Sequence, residues 1–301
     1  MQKFIGFLRL MRLANIVTAV SDILAGIAIA GYITNTNWGQ LDWRPVILLV
    51  LSTIGLYGGG VVFNDVFDAE LDKVERPERP IPSGLIRKEA AASFAMLLLL
   101  LGIQQAYFVH PEGFASPTTL LAIATALAAV VYDKWGKHHG FLGPLNMGLC
   151  RGLNLLLGIS ILPASLPLYW YLSFVPIVYI AAITMVSRGE VHGGKRTTLY
   201  GAAALYSLVI AAILVVAISR NNGLYAACFL LLLALMIFPP LRKAVKNPIG
   251  PLIGKAVKAG VIALILMNAA WAAAFGSFYL ALVIVLLLPL SLWLARLFAV
   301  T

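Results

Sequence analysis

Apolar residues along this chain fall in long, nearly unbroken runs rather than in strict alternation, and the runs recur from one end to the other. Read between prolines, glycines and charged clusters, they predict ten helices at about 14–33, 46–67, 90–109, 116–133, 143–162, 167–187, 198–219, 224–240, 252–274 and 277–299. Each run approaches the ~20 residues that a helix needs to cross the hydrocarbon of a bilayer. The pattern therefore predicts an all-α integral membrane protein. No linker and no fixed-period repeat divides it, so 1–301 reads as a single domain.

Composition agrees: 61% of residues are hydrophobic and 11% charged, against about a quarter charged in a soluble domain. A net charge of +10 raises the possibility of nucleic acid, but the basic residues form no long run and no nucleic-acid motif accompanies them. Orientation explains them better. With the N-terminus in the cytoplasm, Lys73, Arg76, Arg79, Arg87, Lys88, Lys134, Lys137, Arg188, Lys195, Arg196, Arg242, Lys243, Lys246 and Arg296 share one side. The other side receives little beyond Arg44 and Arg220, which is the positive-inside asymmetry. Lys3, Arg9 and Arg12 precede the first run as in a signal peptide, yet the run is too long and lacks a cleavage site, so it reads as a retained helix. Cys150 and Cys228 show no metal-ligand spacing and read as packing residues.

Acidic residues change the picture most. The chain has only twelve, and four of them fall in Asn64-Asp65-Val66-Phe67-Asp68-Ala69-Glu70-Leu71-Asp72, just after Gly58-Gly59-Gly60 at the end of the second run. On a continuous helix, Asp65, Asp68 and Asp72 stand at i, i+3 and i+7 and project from one face. Three like charges so placed need a cation. Hard oxygen ligands on an open face suit Mg²⁺, which binds through a few carboxylates together with substrate phosphate oxygens. The plainer alternative is a solvated acidic helix end paired with Lys73, Arg76 and Arg79, but surface pairs contribute little and do not require this spacing.

Asn64-Asp65-x-x-Asp68-x-x-x-Asp72 followed by Arg79-Pro80-Ile81-Pro82-Ser83-Gly84 resembles the first motif of the UbiA prenyltransferase superfamily. The resemblance implies a bundle of nine transmembrane helices, to which this chain adds a tenth near its C-terminus. It implies Asp65, Asp68 and Asp72 as ligands of Mg²⁺ and diphosphate, Asn64 as a further polar ligand, and Arg79, with Arg76 beside it, as neutralising phosphate charge. Tyr132-Asp133-Lys134-Trp135-Gly136-Lys137 is similar to the Tyr-Asp-x-x-x-Lys loop of archaeal-type members, which would bring Lys137 to the diphosphate. Interfacial aromatics with topogenic lysines are the alternative for that stretch. The same pattern calls for Asn where Pro144 stands, and Asn146 lies close by.

Ser187-Arg188-Gly189-Glu190-Val191-His192-Gly193-Gly194 occupies the place of the family's second acidic motif, and here the chain departs from it. Glu190 replaces one Asp, whereas Val186 and Ile183 stand at the other positions. A second metal is poorly supplied, so Glu190 is the only ligand candidate there, and Arg188 and His192 are expected to offset diphosphate charge instead. Across 59–65 and 187–194 the likeness is closest to the UbiA-like EboC branch.

Polar residues inside the runs complete the candidate set. Asn15 and Asp22, seven apart, share a helical face, and an intramembrane carboxylate points into protein or a watery cavity. Asn146, Arg151 and Asn154 interrupt the fifth run; Arg151 either pairs with Asp22 or binds a polar or anionic acceptor. Asn268 reads as helix–helix glue. The resemblance implies transfer of an isoprenoid group from a prenyl diphosphate to a lipophilic acceptor, aromatic acceptors included, in a membrane of the bacterial inner type with the active-site loops cytoplasmic. A terpene cyclase of the same fold and a non-catalytic isoprenoid or lipid binder or transporter are the alternatives. A transporter predicts internal repeats or broken midplane helices, and neither is identifiable in the runs.

Overall fold

The computed structural model describes residues 2–111, 113, 115–136, 139, 142–190 and 193–298. Every regular element among them is helical. In chain order they are α1 (Gln2–Leu10), α2 (Leu13–Ile29), α3 (Arg44–Phe67), α4 (Ala69–Glu75), α5 (Lys88–Val109), α6 (Pro117–Lys134), α7 (Leu142–Ile159), α8 (Leu166–Tyr169), α9 (Phe174–Ser187), α10 (Arg196–Ser219), α11 (Gly223–Lys246), α12 (Gly250–Ala274) and α13 (Phe278–Leu297). All ten apolar runs thus become helical, with α1, α4 and α8 as short additions.

Seven stretches are long and apolar enough to cross a membrane: α3, α5, Pro163–Ser187, α10, α11, α12 and α13. The pair α1–α2, bent by 45°, makes an eighth when taken as one span. Helices α6 and α7 have 18 residues each and do not meet the same measure, because they carry Asp133 and Lys134, and Asn146, Arg151 and Asn154. The nine-plus-one count expected above is therefore not reached by length and composition alone. Both of these more polar helices face the site described below.

Local sequence sets the helix ends. Ser116 accepts a hydrogen bond from the Thr119 N–H and Pro117 opens α6, a pairing suited to a helix start. At the close of α2, Gly31 has φ +78° while Gly31 N–H and Tyr32 N–H donate to the Ala28 and Ile27 carbonyls. Gly276 repeats this after α12 with φ +78°, its N–H donating to the Ala273 carbonyl and the Ser277 N–H to the Ala272 carbonyl. Both are glycine-ended Schellman closures, a conformation that a Cβ disfavours.

Packing follows burial. Residues 262–274 of α12 are buried throughout, and that helix touches α2, α9, α10, α11 and α13. A helix apolar on all sides belongs in the middle. Small residues let neighbouring backbones meet, as small residues at membrane helix interfaces do: a Cβ on Gly55 of α3 would lie 2.6 Å from the Leu98 carbonyl of α5, and one on Gly158 of α7 would lie 2.5 Å from the Ile23 carbonyl of α2. The tenth predicted span, α13, packs on α2, where Ser291 Oγ donates to the Ala14 carbonyl at 2.9 Å. At one end a second, smaller core joins Leu10 and Met11 to Val62, Val66, Ile81 and Ile86. It seats α1 and the loop after α4 over the acidic stretch.

Candidate active site

Helix α3 stops at Phe67 and α4 begins at Ala69, with Asp68 in the turn between them (φ −84°, ψ 0°). Bonds from Asp68 N–H to the Asn64 carbonyl (3.0 Å) and from Asp72 N–H to the Asp68 carbonyl (2.8 Å) carry the helical register across the break. The loop beyond α4 then folds back, with Ser83 N–H on the Arg79 carbonyl (3.0 Å) and Ile86 N–H on the Pro80 carbonyl (2.9 Å). Burial of Ile81 and Ile86 in the small core holds Arg79 inward.

Asp65 and Asp72 are buried, and the Arg79 guanidinium lies between them. Its Nη1 donates to Asp72 Oδ2 at 2.7 Å and to Asp65 Oδ1 at 3.3 Å. Arg12 Nη2 donates to the same Asp65 Oδ1 at 2.6 Å. Arg12 stands at the bend between α1 and α2 with φ 49° and ψ 60°, a left-handed backbone that is uncommon for a non-glycine residue. Arg12 entered the sequence reading only as a flanking positive charge. Its one local signal was its place just before the first apolar run; its partner is 53 positions away.

A cation would find hard oxygens here. Asp65 and Asp72 reach one guanidinium nitrogen, so their oxygens already converge on one centre of positive charge. Among the described residues no group of three acidic, histidine or cysteine side chains is close enough to hold a metal ion. A two-carboxylate site suits Mg²⁺ when substrate phosphate and water supply the other ligands.

Beside this cluster opens a cavity of about 240 Å³. Its mouth is bordered by Arg12, Asn15, Asn64, Tyr132 and Asp133, and its walls by Leu56, Tyr57, Ala129, Met147, Ile180, Ile183, Val261 and Leu264. From Asn64 to Thr53, both lining residues on α3, the helical rise gives a depth of about 16 Å. Asn64 Nδ2 donates to Asp133 Oδ1 at 3.0 Å, joining α3 to α6 at the mouth. Tyr57, Thr18, Thr53 and Cys150 also line it, and none of these was marked as a site residue by the sequence. Cys150, read as packing, lies on the cavity wall, whereas Cys228 is exposed on α11. Cys150 is followed by the charged Arg151, whereas Cys228 stands between Ala227 and Phe229.

The cavity floor is polar. Arg151 Nε lies 3.0 Å from Asp22 Oδ2, an ion pair outside hydrogen-bond alignment, and Nη2 donates to the Thr18 carbonyl and hydroxyl at 3.1 and 3.2 Å. Asn154 Nδ2 donates to Asp22 Oδ2 (3.1 Å) and the Ala19 carbonyl (2.9 Å), and its Oδ1 accepts from Thr53 (2.8 Å). Asn268 Nδ2 donates to Asp22 Oδ1 (2.8 Å) and Ser21 Oγ (2.7 Å). Arg151 thus makes the pairing with Asp22 and also stands on the cavity lining.

Other candidates lie apart. Arg76 is exposed on the loop, and Asn146 is half-buried beside Gly136, off the cavity wall. Arg188 is exposed and borders a separate cavity with Gly189, Gly193, Gly194 and Lys195. Glu190 is exposed near Gly254 of α12, so the α9–α10 loop does not bring its acid to Asp65 and Asp72. Lys137 and His192 lie outside the described residues. Glu70 faces solvent, where its bond from Lys73 at 2.8 Å holds its carboxyl below the usual range.

Residues 23–248 match the UbiA prenyltransferase family. Among curated proteins, the chain is 26% identical over 203 residues to the digeranylgeranylglyceryl phosphate synthase of Sulfurisphaera tokodaii, covering 64% of this chain and 68% of that protein. It is 32% identical over 187 residues to the protein of the same name from Methanoregula boonei, covering 61% and 60%. The corresponding Saccharolobus solfataricus protein is 29% identical over 153 residues, covering 51% and 50%. The chain thus spans about half to two thirds of the length of the curated relatives it matches. A solved structure concerned with digeranylgeranylglyceryl phosphate synthase in membranes superposes with a TM-score of 0.65 at 21% identity, covering 92% of this chain and 99% of that one. A UbiA homologue from Archaeoglobus fulgidus bound to GPP and Mg²⁺ gives 0.58 at 15% identity, covering 91% and 99%. At these identities the superpositions speak for the fold.

Proposed function

The chain belongs to the UbiA prenyltransferase family, and from that premise we propose that it moves an isoprenoid group from a prenyl diphosphate to a lipophilic acceptor and releases diphosphate. The observation that carries this reading is the convergence of Asp65 and Asp72 on one guanidinium nitrogen, at the mouth of a cavity with mostly apolar walls. Breaking the allylic C–O bond leaves a cation on the hydrocarbon and concentrates negative charge on the departing diphosphate. Arg12 and Arg79 lie where they stabilise that charge, and charge placed in advance in a dry site is worth more than in water.

Asp65 and Asp72, with Asp68 and Asn64 next to them, would hold Mg²⁺, which when bound supplies further neutralisation of the leaving group. The Asn64–Asp133 bond orients the amide at the mouth. Leu56, Ile180, Ile183 and Leu264 hold the hydrocarbon and exclude water from the allylic carbon. Glu190, Arg188, Lys137 and His192 remain in the proposal as loop residues that approach the diphosphate, and Arg76 and Asn146 as outer polar contacts; family resemblance is their support. Asn15 and Tyr132 border the substrate directly in this reading.

The name shared by the curated relatives suggests an acceptor bearing a glyceryl phosphate. The two segments at 59–65 and 187–194 support a finer placement beside the EboC branch, and the excess of Lys and Arg at the Asp65 end supports a cytoplasmic site. Incubating the purified protein with radiolabelled prenyl diphosphate, Mg²⁺ and a membrane lipid extract tests the reading. A labelled lipid adduct, lost on chelation with EDTA, is the expected result. Labelled hydrocarbon or alcohol formed without acceptor would make it a cyclase, and binding without turnover would make it a carrier.

A further inference from the structure

Two of the carboxylates beside the cavity mouth are already answered from within. Arg79 bonds to Asp72 and Asp65, and Arg12 bonds to Asp65. The side chains of Asp65, Asp72 and Arg79 are only 5%, 4% and 8% exposed, so bulk water screens them little. A bare divalent cation binding Asp65 and Asp72 would sit against two guanidiniums already held there, a repulsion that burial makes costly. Either it shares those carboxylates with like charge, or it displaces Arg79 from both and Arg12 from Asp65.

Arg79 has an unspent donor. Its Nε is buried and bonds to nothing among the described residues, although a guanidinium offers five N–H donors in a rigid fork that matches phosphate oxygens. A buried unsatisfied donor is unfavourable until a partner arrives. Nor is Arg79 held by a helix: it stands on the 76–87 loop, while Arg12 stands at a bend in an uncommon left-handed conformation. Backbone of this kind gathers at sites that change partners.

We propose that Arg79, with Arg12, is an internal counter-ion that holds Asp65 and Asp72 until a diphosphate arrives, so that divalent metal enters together with diphosphate and not ahead of it. The incoming diphosphate takes the guanidiniums onto its own oxygens and frees the carboxylates for the metal. Arg79 is on this account a positioning residue for the metal as well as a contact for the phosphate. Metal and diphosphate must then tighten one another reciprocally, as linked binding requires. The proposal rests on the prenyl-diphosphate reading above.

The test uses full-length, detergent-purified protein, with Mn²⁺ alone followed by its EPR signal, and separately with ³²P-labelled inorganic diphosphate in the presence of Mg²⁺. Wild type binds Mn²⁺ alone weakly and labelled diphosphate well. Arg79→Gln binds Mn²⁺ alone about tenfold more tightly, as expected for loss of one competing charge-assisted bond, and binds labelled diphosphate less well. Should Arg79→Gln fail to fold, Arg12→Gln carries the same test with an expected gain of about threefold, since Asp65 then loses its shorter, more exposed partner. Equal Mn²⁺ affinity in wild type and variant, with diphosphate binding intact, overturns the inference alone. Failure of wild type to bind diphosphate with Mg²⁺ present overturns both the inference and the reading beneath it.

Discussion

Two sets of paired carboxylates and arginines flank one cavity, whose lining they reach through Arg12 and Arg151, and they are built differently. On the floor, Asp22 has both oxygens taken by amide donors on separate helices, Asn154 on α7 and Asn268 on α12, with Arg151 alongside. Thr53 brings in α3, so four helices are tied at one carboxylate. At the mouth, Asp65 and Asp72 are held, among the described residues, by arginine side chains, one from a loop and one from a bend. The floor is a lock tied from four helices, with Arg151 and Asn154 also on the cavity lining. The mouth is a pairing carried on a loop and a bend, with Arg12 on the same lining, and a charged ligand can enter there without dismantling the bundle.

Breaking the floor should cost most. Asp22→Ala is expected to remove about 3–5 kcal/mol of stability, because it strands Arg151 in the bundle interior. Thermal unfolding in detergent measures this, and the double variant Asp22→Leu with Arg151→Met should recover most of it. An Asp22→Ala protein as stable as wild type would erase the distinction drawn here. At the mouth, Asp65→Asn or Asp72→Asn should lower prenyl transfer roughly 100-fold, the usual scale for loss of a charge-stabilising group. Its unfolding midpoint should move far less than that of the Asp22 variant, and a large midpoint shift with activity retained would make the mouth structural too. The finest test is Asn268→Ala, with an expected loss near ~0.6 kcal/mol, typical of a hydrogen bond between membrane helices. A double-mutant cycle with Ser21→Ala would show whether that amide is part of the lock or a bystander.

Much of this was legible before any fold. Eight of the ten apolar runs coincide with long helices to within four residues, because lipid forces every span to satisfy its backbone internally, while the sixth is divided between α8 and α9 and the eighth continues to Lys246 in α11. The acidic stretch announced itself by the cost of clustering charge at a membrane boundary. The floor was half legible: Asp22 and Arg151 were too expensive to leave unpaired, but whether they met each other or a ligand depended on how α2 and α7 are rotated. The α9–α10 loop was less legible. Glu190 and Arg188 occupy the expected sequence position and stand exposed, outside the main cavity, since position along a chain says nothing about which way a loop turns.

What the amino-acid order determined alone is what short-range chemistry decides: which segments partition into lipid, where helices start and end, and that a cation must answer the aspartates. What needed the tertiary structure is every relation across helices. Arg12 reaches Asp65 over 53 positions, and Asn268 reaches Asp22 over 246, distances at which hydropathy and periodicity carry no signal. Such pairings arise only after close packing has set each helix's rotation and depth, and in this protein those two quantities separate a locked carboxylate from one free to change partners.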